Sequence, residues 1–173
     1  MSDVSTVREI LEKSTTVLNE NWVSGDWFLM DYPEGIHEDD WGIPVNDDGE
    51  QVDATQNVMV GVCLAGGVLY SLGYTNETYI DQDNVRPVIE LIYEALGKKF
   101  SRIAEEGDDM HDIPGYTDWC ATNRYIDMGA DWKQIYDSKV STIVNWNDAV
   151  SRQKAEVIDV LQQATKFAID RGL

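Results

Sequence analysis

Val7, Ile10, Leu11, Val17 and Leu18 recur at the 3.6-residue spacing of an amphipathic helix, predicted over 5–21 with Ser5 as its N-cap. The next apolar block is of a different kind. Val58–Tyr74 is apolar on every side, so the pattern predicts a helix over about 57–72 that runs through the middle of the core. Its glycines (Gly61, Gly66, Gly67, Gly73) let neighbouring helices approach closely. Amphipathic spacing returns at Val85, Val88, Ile89, Ile92 and Leu96, a helix over 85–96 with Asn84 as cap, Pro87 in its first turn and Gly97 at its end. A further helical piece is expected over 98–105. Two helices follow, about 118–128 and 132–144, capped by Thr117 and Asp131 and separated by Gly129. Val157, Ile158, Leu161, Ala164 and Ala168 give the stripe of a terminal helix capped by Ser151.

Between the first two helices the periodicity stops. Residues 23–56 carry Pro33, Gly35, Gly42, Pro44 and the turn-like run Asn46-Asp47-Asp48-Gly49, and they read as a long loop with one short strand at Trp27–Met30. A loop that long inside a compact domain often has a function of its own. The fold class expected is all-α, or predominantly α: five to seven helices around a central glycine-containing apolar helix. The chain reads as one domain over 1–173, with 23–56 as an acidic insertion.

Charge sharpens this picture. The chain has 32 acids and 13 bases, a net charge of −19. Residues 14–85 hold fourteen of the acids and no lysine or arginine at all. Such a balance argues against a protein that grips nucleic acid or anionic lipid through a basic face. The uncharged stretch Ala54–Asn76 is long enough to invite a membrane reading, but no Lys or Arg flanks it and its glycines dilute its hydrophobicity, so no membrane span is expected. The opening MSDVSTVREILEK has no apolar signal region, and the two cysteines, Cys63 and Cys120, are too few for a disulfide framework. Both read as reduced, core-facing thiols of a cytoplasmic protein; a bridge between them stays open.

The familiar chemical motifs fail on inspection. Gly61-x4-Gly66-Gly67-Val68 has the glycine spacing of a phosphate-binding loop, yet Gly67 and Val68 stand where its lysine and hydroxyl residue belong, and no strand is evident before it. Close helix packing explains these glycines better. Aligning Gly49 with the glycine of a calcium loop puts Pro44 and Thr55 at ligand positions, which excludes that pattern and leaves a solvated acidic loop, with a looser cation site as the alternative. His37 and His111 are the only histidines, and no Cys/His cluster has metal spacing. No metal or cofactor is therefore expected. A cysteine hydrolase needs a thiolate, a base and an orienting group; Cys63, His111 and Asp148 (or Asn147) supply the residue types, but an apolar helix around Cys63 blunts its thiol. Six tryptophans and eight tyrosines admit sugar stacking, although aromatics also fill a helical core. Trp146-Asn147-Asp148 falls between two predicted helices, where Asn and Asp bond readily to nearby backbone and Trp146 plugs the core.

The helix opening Val62-Cys63-Leu64-Ala65-Gly66-Gly67-Val68-Leu69, followed after a variable middle by Trp146-Asn147-Asp148 and an amphipathic terminal helix, resembles an uncharacterised domain-of-unknown-function family of actinobacteria and their phages. The resemblance covers about 58–72 and 140–168, with the first helix more loosely. It implies a phage setting and no activity. The function expected is a non-enzymatic protein-binding domain whose acidic residues Glu38, Asp39, Asp40, Asp47, Asp48, Glu50 and Asp53 dock on a basic partner surface, in a phage setting a nucleic-acid-handling host enzyme. The alternatives are a DNA mimic, in which carboxylates imitate rows of phosphates, and the hydrolase built on Cys63.

Overall fold

A computed structural model describes residues 6–32, 34–40, 43–52, 58–107 and 113–173. The first helix, α1 (Val7–Asn21), is opened by a capping box. The Thr6 hydroxyl accepts the Glu9 N–H at 3.2 Å and the Glu9 carboxylate accepts the Thr6 N–H at 2.8 Å. Thr6, not Ser5, is thus the cap; Ser5 lies outside the described residues. Ile10, Leu11 and Leu18 are fully buried, as the spacing requires.

The predicted helix over 57–72 is two elements. Val58–Val62 is a strand, β4, and only Leu64–Ser71 is helical, α2, with Cys63 as the N-cap between them. An all-apolar run does not by itself distinguish a buried helix from a buried strand, and Val58, Val60 and Val62 favour the extended form. The strand finds its partner inside the segment read as a loop: β1 (Phe28–Asp31) pairs antiparallel with β4, with Phe28 opposite Val62 and Asp31 opposite Val58. A bulge falls between Leu29 and Met30, whose partners are Gly61 and Met59, so Val60 is skipped. Two further strands, β2 (Ile36–Glu38) and β3 (Pro44–Asn46), form a separate antiparallel pair. Among its described residues the 23–56 insertion therefore holds three short strands where one was expected, because strand pairing across the insertion has no local signature.

The helix expected to stop at Gly97 continues. Helix α3 spans Arg86–Glu106 and ends at Gly107, in the left-handed conformation at φ +85°. Val85 occupies its N-cap without a side-chain bond, so Asn84 is not the cap. Gly97 serves packing: a Cβ there would stand 3.0 Å from the indole nitrogen of Trp119. Helix α4 (Tyr116–Asp127) starts from Gly115 rather than Thr117, and α5 (Trp132–Asn147) starts from Asp131 as expected, whose carboxylate accepts the Lys133 and Gln134 N–H groups. Helix α6 (Lys154–Arg171) is capped by Gln153 and Glu156 in a capping box, two residues beyond the expected Ser151 cap.

The architecture is predominantly α. Helix α1 lies against α6 and α2, α3 against α6 and α5, and α4 against α5. One core joins them, with Leu64, Val68 and Leu69 of α2, Val88, Ile89, Ile92 and Leu96 of α3 and Val157, Leu161 and Ala164 of α6 all buried. Among the described residues no helix is long and apolar enough to cross a membrane.

Candidate functional site

The two segments that carry the sequence resemblance meet in space through Leu64 and Asn147, 83 positions apart. Asn147 is wholly buried in the last turn of α5, so Trp146-Asn147 belongs to that helix and Asp148 is its C-cap. Its Oδ1 accepts the Leu64 N–H at 3.2 Å and the Trp22 indole N–H at 2.9 Å. Its Nδ2 donates to Asp148 Oδ1 at 2.8 Å, and the same carboxylate oxygen accepts the Gly25 N–H at 3.0 Å. One amide thus satisfies an otherwise orphaned N–H of α2 and ties it to the end of α1 and to the start of the acidic segment. Cys63 completes the cap, its Sγ accepting the Gly66 N–H at 3.4 Å.

The glycines beside it are required by backbone approach. A Cβ at Gly66 would fall 1.9 Å from the Trp27 carbonyl oxygen, and one at Gly67 would fall 2.8 Å from the Leu18 side chain. A strand does precede this turn, contrary to the expectation. The strand–turn–helix is nevertheless filled by the protein's own backbone and side chains. Trp146 seals the other side: its ring carries the Arg152 guanidinium at 4.0 Å and its carbonyl accepts the Arg152 Nε–H at 2.9 Å. The Trp-Asn-Asp and Cys-x-x-Gly segments form a structural joint.

That geometry bears on the hydrolase reading. Cys63 is 1% exposed, and burial pushes its thiol up to about 12, with the nearby Asp148 carboxylate adding to the rise. Asp148 faces Gly25 and Asn147. His111 lies outside the described residues. Both cysteines are free thiols, Cys63 buried and Cys120 half-buried. Among the described residues no group of three or more His, Cys, Asp or Glu side chains converges as a metal site would require.

The acidic residues are distributed between turn-making and display. Asp39 Oδ1 accepts the Ile43 N–H at 2.8 Å, and Asn46 Oδ1 accepts from Asp48 and Glu50 N–H at 3.1 and 2.8 Å. These bonds shape the β2–β3 pair and the turn after it, where Gly49 takes φ +79°. Asp40, Asp48 and Glu50 are exposed, and Asp47 projects its side chain at 84% exposure, 3.9 Å from the His37 ring nitrogen. Glu38 belongs to β2, and Asp53 lies outside the described residues.

Beside this display is a cleft of about 400 Å³ that the sequence pattern does not announce. Phe28, Leu29, Tyr32 and Ile36 line its walls, and Asp26 and Asp31 contribute its carboxylates. Its walls come from β1, the residue after it and the start of β2, strands that belong to two separate sheets, which no local spacing records. Leu29, Val60 and Ile43 expose apolar surface nearby, at 42%, 43% and 38%.

The sequence profile of a family of unknown function, DUF6197, matches residues 2–167. No curated protein and no solved structure matches the chain.

Proposed function

We propose that this chain, which belongs to the DUF6197 family of unknown function, is a cytoplasmic, non-enzymatic docking module that receives a basic partner protein on its acidic arm. The observation that carries the reading is the base-free 14–85 segment, whose carboxylates border a hydrogen-bonded pair of strands beside a cleft that mixes apolar walls with two carboxylates and His37. A lysine or arginine side chain suits that cleft, its aliphatic stem against Phe28, Leu29 and Ile36 and its charged head toward Asp26 and Asp31. Asp40, Asp47, Asp48 and Glu50 steer the cationic surface inward, and the apolar surface of Leu29, Ile43 and Val60 supplies contact area that charge alone lacks. In the phage setting that the family resemblance implies, the partner is a host protein with a nucleic-acid-handling basic face.

The test is a calorimetric titration with an oligo-arginine peptide. Three proteins are compared: the native chain, a variant with Asp26→Asn, Asp31→Asn, Asp47→Asn and Asp48→Asn, and a control that removes four carboxylates from the helices (Glu105→Gln, Glu106→Gln, Asp159→Asn, Asp170→Asn). The arm variant is expected to bind about tenfold more weakly than the native chain, a loss of about 1.4 kcal/mol, and the control is expected to stay within about twofold. Equal weakening in both variants assigns the binding to net charge and refutes the arm.

A further inference from the structure

A groove of about 600 Å³ lies on a different surface, lined by residues of α3, by Trp119 of α4 and by Arg171 at the end of α6. From this groove we propose a second site, one that binds a small organic anion carrying a planar ring and a carboxylate or phosphate. Its floor is Gly97, and Trp119 and Tyr93 supply ring surface. Trp119 is held in place by ring contacts to Phe100 and Tyr116 at 5.7 and 5.8 Å. Its indole nitrogen, which can only donate, faces the position that a side chain at residue 97 would fill. Among the described residues no acceptor meets that N–H.

The charges on the walls are unequal in what they leave over. Glu94 is taken up by Arg171, whose Nη2 reaches both carboxylate oxygens at 2.7 and 2.8 Å, and Glu90 is taken up by Lys139. Lys98 and Arg102, one turn apart on α3, have no carboxylate partner among the described residues. Lys98 rests its ammonium over the Phe167 ring at 4.2 Å, and both cations also border a smaller cleft shared with Lys99. Among the described residues Glu105 is the one remaining groove carboxylate. On a chain of net charge −19, this places two cations that lack a carboxylate partner among the described residues beside an indole donor and an aromatic wall. An anionic head meets Lys98 and Arg102, a ring lies along Trp119, and a ring or head oxygen accepts the indole N–H. The volume is that of small-molecule sites generally.

The test follows the Trp119 indole N–H resonance, assigned from its loss in Trp119→Phe, during titration of the full chain. The probes are adenosine 5′-monophosphate and 4-hydroxybenzoate, with adenosine, benzyl alcohol, inorganic phosphate and benzylamine as counterparts. A saturable shift is expected with at least one ring anion, at least about tenfold tighter than with its uncharged counterpart or with phosphate alone, and lost in the exposed-residue variant Lys98→Gln, Arg102→Gln. The circular dichroism and melting point of that variant establish that it is folded. Absence of any shift, tighter binding of benzylamine, equal binding of phosphate alone, or binding unaltered in the folded variant overturns the proposal.

Discussion

Replacing Asn147 by alanine removes a side chain of α5 that bonds the end of α1 and the start of α2 and also holds Asp148, the acceptor for the Gly25 N–H. The Leu64 N–H lies in a fully buried residue, and stranding a buried donor costs about 1–3 kcal/mol. The Trp22 indole N–H loses its acceptor in a partly buried setting, and the truncated amide leaves a small void. Together these give a loss of about 3–5 kcal/mol, a large share of a stability of about 5–15 kcal/mol. For a chain of this size the melting point should fall by about 10 °C. The assay is urea unfolding followed by circular dichroism, with Trp22→Phe and the double variant completing a cycle. Because Trp22 and Asn147 share a hydrogen bond, the two losses should be less than additive. A loss below about 1 kcal/mol for Asn147→Ala, or strict additivity with Trp22→Phe, would refute the joint as described.

Four more outcomes follow from the same geometry. Gly66→Ala should destabilise more than Gly67→Ala, since the first drives a Cβ into the Trp27 carbonyl and the second into the flexible end of Leu18; overpacking of this kind costs about 1–3 kcal/mol or more, and paired denaturant melts give the order. In the native protein Cys120 should react with a thiol reagent well before Cys63, whose modification should wait for unfolding; prompt labelling of Cys63 would contradict its burial. Cys63 and Tyr93 both have folded-state values raised to about 12, from 9 and 10. The unfolded chain therefore releases these protons first as pH rises, and stability present below pH 9 should decline between pH 9 and 12; a melting point constant across that window refutes the shift. Moderate salt should raise the melting point by screening repulsion within the base-free 14–85 segment, and a melting point flat across ionic strength would count against it.

How much was legible in the chain depends on whether the relevant interaction is local. The inner stripe of α3 and its N-cap (Val85, Val88, Ile89, Ile92, Leu96) was readable because helical contacts repeat every three or four residues, and all five side chains are buried. Asp131 was readable as a cap because its bonds reach only two and three residues ahead. Gly97 was misread for the opposite reason: what governs it is Trp119, on another helix. The 57–72 helix failed at the same boundary. A five-residue apolar run is compatible with helix or strand until a partner is present, and the partner, Phe28–Asp31, sits thirty residues earlier. Of the candidate docking residues, the sequence displayed the carboxylates but not the cleft beside them, whose walls come from β1 and the start of β2.

The amino-acid order alone determined a predominantly helical chain, its match to a family profile over residues 2–167, and a lopsided charge distribution, since composition and periodicity need no partner to be read. Tertiary structure decided that the Cys-x-x-Gly and Trp-Asn-Asp segments are two halves of one hydrogen-bonded joint and that part of the acidic stretch is built from paired strands. It also decided where clefts open. Each of these rests on contacts between distant segments, and such contacts come into being only when the chain closes on itself.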